Sequence, residues 1–213
     1  MARPREFDEA SVLEAAVGCF WARGFEATSV RELADAMGIT GASLYNAFGD
    51  KRALYRRALD HYVEASFSAR VQRVQSLPPR DALAAFFADI VERSLADRQR
   101  KGCMIINSAL EVAPHDAEFQ QVVAGVLAHI EAFFLRCVAA GQQAGTITAT
   151  QPAQDLARLL LSVLMGVRVM ARTRPERELL EGMVRPALAL LEPQGSCQPK
   201  PLPGARRPRP QQA

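Results

Sequence analysis

The sequence predicts an all-α protein of about nine helices, with a three-helix N-terminal module on a larger C-terminal helical bundle. Three observations predict this. Apolar residues recur at the three- and four-residue spacing of an amphipathic helix along most of the chain. Ala and Leu dominate, runs of β-branched residues are scarce, and Gly and Pro interrupt the pattern only at wide intervals. A chain of 213 residues with 49% hydrophobic residues also has enough apolar surface for a packed core.

The first two helices have clear start and stop signals. Helical spacing predicts the first over residues 8–23, stopped by Gly24. Ser29 and Glu32 have the spacing of a capping box, which predicts the start of the second helix. Gly38 suits the left-handed position that ends a helix, so we expect a tight turn there.

Capping residues and breaks also delimit the middle of the chain. Thr40 is the expected N-cap of a short third helix ending near Phe48, and Asp50 that of a fourth helix reaching Val74. After a Pro-Pro turn, an amphipathic pattern predicts a fifth helix centred on residues 83–95. Residues 98–102 form a polar, basic break before a compact helix over residues 103–112.

The last three helices are long and apolar. Asp116 is the expected N-cap of the first, after which Gly141 and Gly145 are expected to flank a loop. Residues 155–172 and 176–191 form the other two, and Pro186 should kink the last one. We expect these last two helices to pair with a second copy, because they carry more apolar positions than one buried stripe needs.

The pattern divides the chain into residues 1–50, residues 51–192 and a tail. The tail, residues 193–213, is rich in Pro, Gln and Arg, a composition that predicts disorder. It holds four basic residues and no acidic one. Since the net charge of the whole chain is +3, the remaining residues carry a net charge of −1. Bulk charge therefore gives no argument for nucleic-acid binding, which has to rest on individual groups.

Composition excludes several classes of protein. Uninterrupted apolar runs long enough to span a membrane are missing, and no apolar segment follows the N-terminal charges, so a cytoplasmic protein is expected. The four cysteines, Cys19, Cys103, Cys137 and Cys197, are widely spaced, which predicts free thiols rather than disulfides or a metal site. We expect no cofactor.

The stretch from Val30 to Phe48 reads helix, glycine turn, short helix, the arrangement of a helix-turn-helix. Thr40 and Ser43 can donate hydroxyls to a phosphate at the start of the short helix. Asn46 can bond bidentately to adenine, and Tyr45 offers a phenolic hydroxyl. A plain helical hairpin has the same spacing, so spacing alone leaves both readings open.

Two runs decide between them. Gly24-Phe-Glu-Ala-Thr-Ser-Val-Arg-Glu-Leu-Ala34 and Ser43-Leu-Tyr-Asn-Ala-Phe-Gly-Asp-Lys51 resemble the DNA-binding domain of TetR-family regulators over about residues 8–55. The resemblance implies a homodimer on a near-palindromic operator of double-stranded DNA, with a three-helix reading domain and a six-helix body. Many members have a basic residue followed by Gly where this chain has Gly41-Ala42, so the operator cannot be named.

The resemblance also implies roles for single residues. Thr40, Tyr45 and Lys51 would contact phosphates, and Arg52 is also placed for the DNA backbone. The residues that would line the base edges are Gly41, Ala42, Ser43 and Asn46, and Ser29 joins the predicted DNA contacts.

The segment Lys101-Gly-Cys-Met-Ile-Ile-Asn-Ser-Ala-Leu-Glu111 resembles the N-ethylmaleimide repressor subgroup, whose members respond to electrophiles and redox change. Cys103 begins a helix after the basic residues Arg98, Arg100 and Lys101, which would stabilise a thiolate and predicts a reactive sensor. The alternative is a small buried hydrophobe, the usual role of a free cysteine.

A noncovalent effector site is the other possibility. Phenylalanines interleave with a few polar side chains in the body, as a pocket for a lipophilic ligand requires, although the same spacing fits ordinary core. The residues concerned are Phe86, Phe87, Met104, Asn107, Glu111, Phe119, His129, Phe133 and Phe134.

The sequence therefore predicts a DNA-binding transcriptional regulator, a repressor released by a small-molecule or thiol-reactive effector. One alternative is a DNA-binding dimer indifferent to every effector. A helical-bundle enzyme using Glu111, His115 or His129 is the other, but no paired carboxylates, nucleophile triad or phosphate loop supports catalysis.

Overall fold

The computed structural model describes residues 8–193, all of it helix, turn or loop without a strand. Residues 1–7 and 194–213, and with them most of the predicted tail and Cys197, lie outside the described residues. The helices of the N-terminal module are α1 Glu9–Arg23, α2 Val30–Met37 and α3 Gly41–Phe48. The N-caps of α2 and α3 are Ser29 and Thr40, as the sequence predicts, and Asp8 caps α1.

Helix α4 links the module to the body. It runs as Lys51–Val63, passes through a π-helical turn at Glu64–Ser68 and continues as Ala69–Val74. The body is completed by α5 Pro79–Ala96, α6 Met104–Glu111, α7 Ala117–Gln143, α8 Ala153–Thr173 and α9 Arg177–Ala189, with a 3₁₀ turn at Ala113–His115. With α4 counted once, the described part holds the predicted nine helices.

Two apolar cores meet near the π turn. The first surrounds Phe20, Leu33 and Leu44 of the module and also takes in Met104 and Phe119 from α6 and α7. Its last residue on α4 is Tyr62. Because its members come from both module and body, this core holds α6 to the N-terminal module.

The second core is built from α5, α7, α8 and α9. Phe87 and Phe134 stack in parallel there with ring centroids 5.7 Å apart, and Phe86 lies edge-on to Phe134 at 5.3 Å. Phe67, within the π turn, is the first α4 residue that belongs to it. Most of the phenylalanines considered for a pocket are therefore core, while Phe119 belongs to the first core.

Helix α7 is long and apolar enough to cross a membrane by length and composition, with a mean hydropathy of 1.8. Phe134 and Val138 on this helix are completely buried in the second core, which is the packing of a core helix. One prediction here is wrong: Gly141 lies inside α7 rather than beside a loop. Ile147 folds back over it so closely that a Cβ would collide with the Ile147 side chain.

Candidate nucleic-acid interface and sensing cavity

The turn between α2 and α3 is fixed by local hydrogen bonds. Gly38 adopts the left-handed conformation (φ 66°, ψ 26°) that side chains disfavour, and the amide of Ile39 donates to the Ala34 carbonyl at 3.1 Å. At the other end of α2, the Ser29 hydroxyl donates to the Glu32 carboxylate at 2.8 Å, while the Glu32 amide donates back to Ser29 Oγ at 3.2 Å. The capping box at the start of α2 and the left-handed glycine at its end are therefore both confirmed.

Helix α3 is held from both sides. Thr40 caps it by accepting the Ser43 amide at 3.1 Å, and the two hydroxyls are 2.9 Å apart. Leu44 and Phe48 are buried against the module. The short helix thus has a fixed orientation although it makes few bonds of its own, as the sequence predicts.

The opposite face of α3 is open. Tyr45 is 53% exposed, an unusual state for a tyrosine, and Ala42 and Asn46 beside it are exposed. Gly41 faces empty space, since a Cβ placed on it would meet no atom within 4 Å. This face therefore offers a hydroxyl, an amide and a place of close backbone approach to an external partner.

The two basic residues that follow α3 differ in placement. Lys51 is half-buried, with Nζ 4.3 Å from the Phe25 ring centroid and 3.4 Å from the Glu26 carbonyl oxygen. Arg52 donates to both carboxylate oxygens of Asp116 at 2.8 Å. Its guanidinium thus ties α4 to the start of α7 in the absence of DNA, and its contact with the DNA backbone stays a prediction.

This ion pair shifts the pKa values of both partners. The hydrogen bond to Arg52 lowers the pKa of the Asp116 carboxyl to about 2, and backbone donors at the start of α7 add to the effect. Asp116 also raises the pKa of Arg52. Glu118 accepts from Arg52 and from Arg56, each at 2.7 Å, so two turns of α4 are attached to α7.

Two more contacts hold α6, one to α4 and one to the module. The Tyr55 hydroxyl lies 2.7 Å from Ser108 Oγ in the first core. Glu111, at the end of α6, accepts the Glu26 amide at 3.0 Å and presses against Gly24, whose φ is +86°. A side chain at Gly24 would collide with that carboxylate. The sequence has no signal for this contact, since its residues are 85 positions apart.

Cys103 is the N-cap of α6 and is half-buried. Burial, followed by the neighbouring Cys103, raises the pKa of the Tyr62 hydroxyl. Cys103 lines a narrow apolar cavity of about 40 Å³ together with Phe86 and Ile130. Lys101 lies over the Trp21 ring, 4.4 Å from its centroid, rather than beside the thiol.

The residues of the enzyme alternative are not brought together. Glu111 is engaged with the module, and the His129 ring packs against Phe67 with centroids 5.4 Å apart. Within residues 8–193, no group of three or more His, Cys, Asp or Glu is placed to hold a metal ion. What sequence reasoning missed in the body is Arg168, a buried arginine on α8 that lines the same cavity as Cys103.

Comparison with protein families gives two matches that together span most of the chain. Residues 12–58 match the model of tetR family bacterial regulatory proteins, and residues 79–186 match the tetracyclin repressor-like C-terminal domain. The second match alone covers more than half of the sequence.

Curated relatives of the chain are also transcriptional regulators. YezE of Bacillus subtilis, an uncharacterised HTH-type transcriptional regulator, is 29% identical over 194 residues, which are 90% of this chain and 100% of that protein. The transcriptional repressor ComR of Escherichia coli is 28% identical over 173 residues, 80% of this chain and 82% of its own.

Among solved structures, a cysteine mutant of the TetR-family regulator CifR with 26-base-pair operator DNA is 32% identical, with a TM-score of 0.79. The similarity covers 88% of this chain and 98% of that one. Reduced NemR of Escherichia coli has a TM-score of 0.79 at 17% identity, which shows a shared fold.

Proposed function

Because the chain belongs to the TetR family of bacterial regulatory proteins, we propose that it represses transcription from an operator and is released by an effector in its helical body. The observation that carries this is α3, a capped helix with a buried anchoring side and an exposed polar side. Two relatives support the proposal: ComR is a transcriptional repressor, and the similar structure of CifR contains operator DNA. A regulator of this kind acts in the cytoplasm, where its DNA lies.

We expect contacts with phosphate along the α3 face. Thr40 and Ser43 present hydroxyls at the helix start, where backbone amides and the helix dipole favour an anion. Tyr45 would donate its exposed hydroxyl to a phosphate. Lys51 would turn from the Glu26 carbonyl to the DNA backbone, and Ser29 would donate from the start of α2.

Base readout would rest on Asn46, whose amide can pair with the adenine edge in the major groove. Gly41 and Ala42 would allow close approach of the backbone, because neither has a side chain that would hold the helix away from the bases. Two copies would place their α3 helices one turn of DNA apart, about 34–36 Å.

The dimer would form through α8 and α9. Leu159 and Val169 on α8 are exposed at 36% and 44%, and Leu190, just beyond α9, at 59%. Pairing these helices with those of a second copy would remove this apolar surface from water. The two-fold symmetry of a palindromic operator requires such a pair.

Operator binding is testable by fluorescence anisotropy with DNA flanking the gene of the protein. Asn46→Ala should weaken specific binding by about 1–3 kcal/mol while leaving binding to unrelated DNA unchanged. Lys51→Ala should weaken both and reduce the salt dependence. Arg136→Gln, on the exposed side of α7, is the matched control. An equal loss of affinity for specific and unrelated DNA in the Asn46→Ala variant would contradict the proposed base contact.

Cys103 is our candidate for a thiol-reactive trigger, because it lines the cavity beside α4. N-ethylmaleimide should abolish operator binding by the native protein and leave a Cys103→Ser variant active. Cys137→Ser and Cys19→Ser are the controls, since burial raises the pKa of both thiols and keeps them protonated. Operator binding that survives labelling of Cys103 would leave a structural role for this cysteine, and binding indifferent to every effector would favour a constitutive regulator.

A further inference from the structure

A charge is buried without a counter-charge beside the cavity. Arg168 on α8 is only 8% exposed, and among the described residues its one hydrogen bond runs from Nη1 to Ser94 Oγ at 3.3 Å. Arg70, which is equally buried, has a carboxylate partner in Asp89. A buried charge is costly unless it is paired, so Arg168 is expected to have a function that requires it.

The space around Arg168 has two different parts. On one side lies the apolar cavity of about 40 Å³, lined by Phe67, Phe86 and Ile130. On the other lies a larger cleft of about 300 Å³. Asp97 contributes an acidic group to it, and its basic groups come from Arg70, Arg93, Lys101 and Arg168. The carboxylate of Asp97 is occupied by the backbone amides of the following loop, from Gln99 to Gly102.

A tryptophan whose indole N–H has no acceptor within residues 8–193 lies in the wall of the same cleft. Trp21 lines it from α1, and its Nε1 is buried without a hydrogen-bond acceptor. Lys101 lies over the ring of this tryptophan, so a further positive charge is within a few ångströms. Buried polar groups nearly always have partners, so the cleft lacks an acceptor or an anion at this place.

We propose that cleft and cavity together bind an amphipathic organic anion, a carboxylic acid with an apolar body. Its carboxylate would take hydrogen bonds from Arg168 and Trp21, and its apolar part would enter the cavity lined by Phe86. The bidentate geometry of a guanidinium suits a carboxylate, and the apolar lining excludes a small hydrophilic anion. This inference rests on the proposed function by assigning the chemical class of its effector.

The position of the site explains how such a ligand would be sensed. Ser66 and Phe67, which line the cavity, belong to the π turn of α4, and π turns commonly mark functional positions in helices. The cavity is too narrow for an alkyl chain unless its walls move. The ligand would therefore displace α4 at the turn where the helix passes from the first core to the second.

The experiment uses the full-length protein without DNA. Hexanoate, octanoate and decanoate are titrated by calorimetry, with octanamide as the neutral isostere, and the emission of Trp21 is recorded in parallel because the chain has a single tryptophan. Octanoate should bind at least about tenfold more tightly than octanamide, the factor that one charge-assisted hydrogen bond supplies. The Trp21 emission should change with the same midpoint.

Arg168→Gln should remove the preference for octanoate, and Arg136→Gln should retain it. Should Arg168→Gln not fold, Arg168→Lys keeps the charge and should keep a preference, so equal affinities in that folded variant would contradict the proposal. Equal binding of acid and amide by the native protein, or no saturable binding of the three acids, would also overturn it. Because this titration contains no DNA, its outcome does not depend on operator binding. Failure of the proposed function would appear only in the anisotropy assay with operator DNA.

Discussion

The buried hydrogen bond between Tyr55 and Ser108 joins α4 to α6, and its geometry predicts an unequal response to removal of either partner. Tyr55 is 2% exposed and Ser108 is completely buried. Ser108 Oγ also lies 2.7 Å from the Met104 carbonyl oxygen, to which it donates its only hydrogen. Tyr55 must therefore be the donor and Ser108 the acceptor in the bond of 2.7 Å between them.

Removing the donor should cost less than removing the acceptor. Tyr55→Phe leaves Ser108 bonded to Met104 and should lower the free energy of unfolding by about 0.5–1.5 kcal/mol. Ser108→Ala leaves the Tyr55 hydroxyl buried without an acceptor and should cost about 1–3 kcal/mol. The double variant removes both groups, so its cost should be smaller than the sum of the two.

Urea unfolding measures these costs, followed by circular dichroism at one fixed protein concentration because a dimer gains stability with concentration. Operator affinity is measured on the same four proteins, since the bond joins α6 to α4, the helix that links the module to the body. The reasoning is refuted if Tyr55→Phe is the more costly single change, or if the double variant loses the full sum.

Three other predictions follow from contacts around the same junction. Burial raises the folded-state pKa of Tyr55 to about 12, so its contribution to stability is complete below about pH 10 and is lost as the pH rises towards 12; Tyr55→Phe should unfold less steeply in that range of a pH titration. Asp116 has a depressed pKa of about 2, so its contribution is present above about pH 4 and lost as the pH falls towards 2; Asp116→Asn, which keeps the N-cap, should show a smaller loss of melting temperature on acidification. Gly24→Ala should lower the free energy of unfolding by about 1 kcal/mol or more, because φ is +86° there and the Glu111 carboxylate occupies the place of a Cβ; a thermal melt unchanged from native would contradict that contact.

Local signals predicted the DNA-reading end of the molecule well. Ser29, Gly38 and Thr40 act on backbone groups within four residues of themselves, so their roles can be read from spacing. The inward face of Leu44 follows from helical periodicity for the same reason. The DNA contacts themselves, and the predicted boundary at residue 50, stay predictions that DNA binding and domain dissection can test.

Long-range pairing could not be predicted in this way. Arg52 has the sequence position of a phosphate contact, yet Asp116, 64 residues later, takes its guanidinium. Arg168 lies within a helix that apolar spacing predicts, and only the packing of α8 against α5 shows that it is buried beside Ser94. Such contacts depend on how helices meet, and no local pattern records that.

The body contributes to two separate apolar cores, and this arrangement limits how an effector can act on DNA binding. Since Met104 and Phe119 share a core with the module, α6 and the start of α7 would move with the DNA-reading helices. The ion pair of Arg52 with Asp116 reinforces that unit. An effector beside Arg168 would then act at the π turn, rotating the whole unit against α8. A coupling of about 1–3 kcal/mol is enough for a 5- to 150-fold loss of operator affinity, which is no more than the cost of one unpaired buried group.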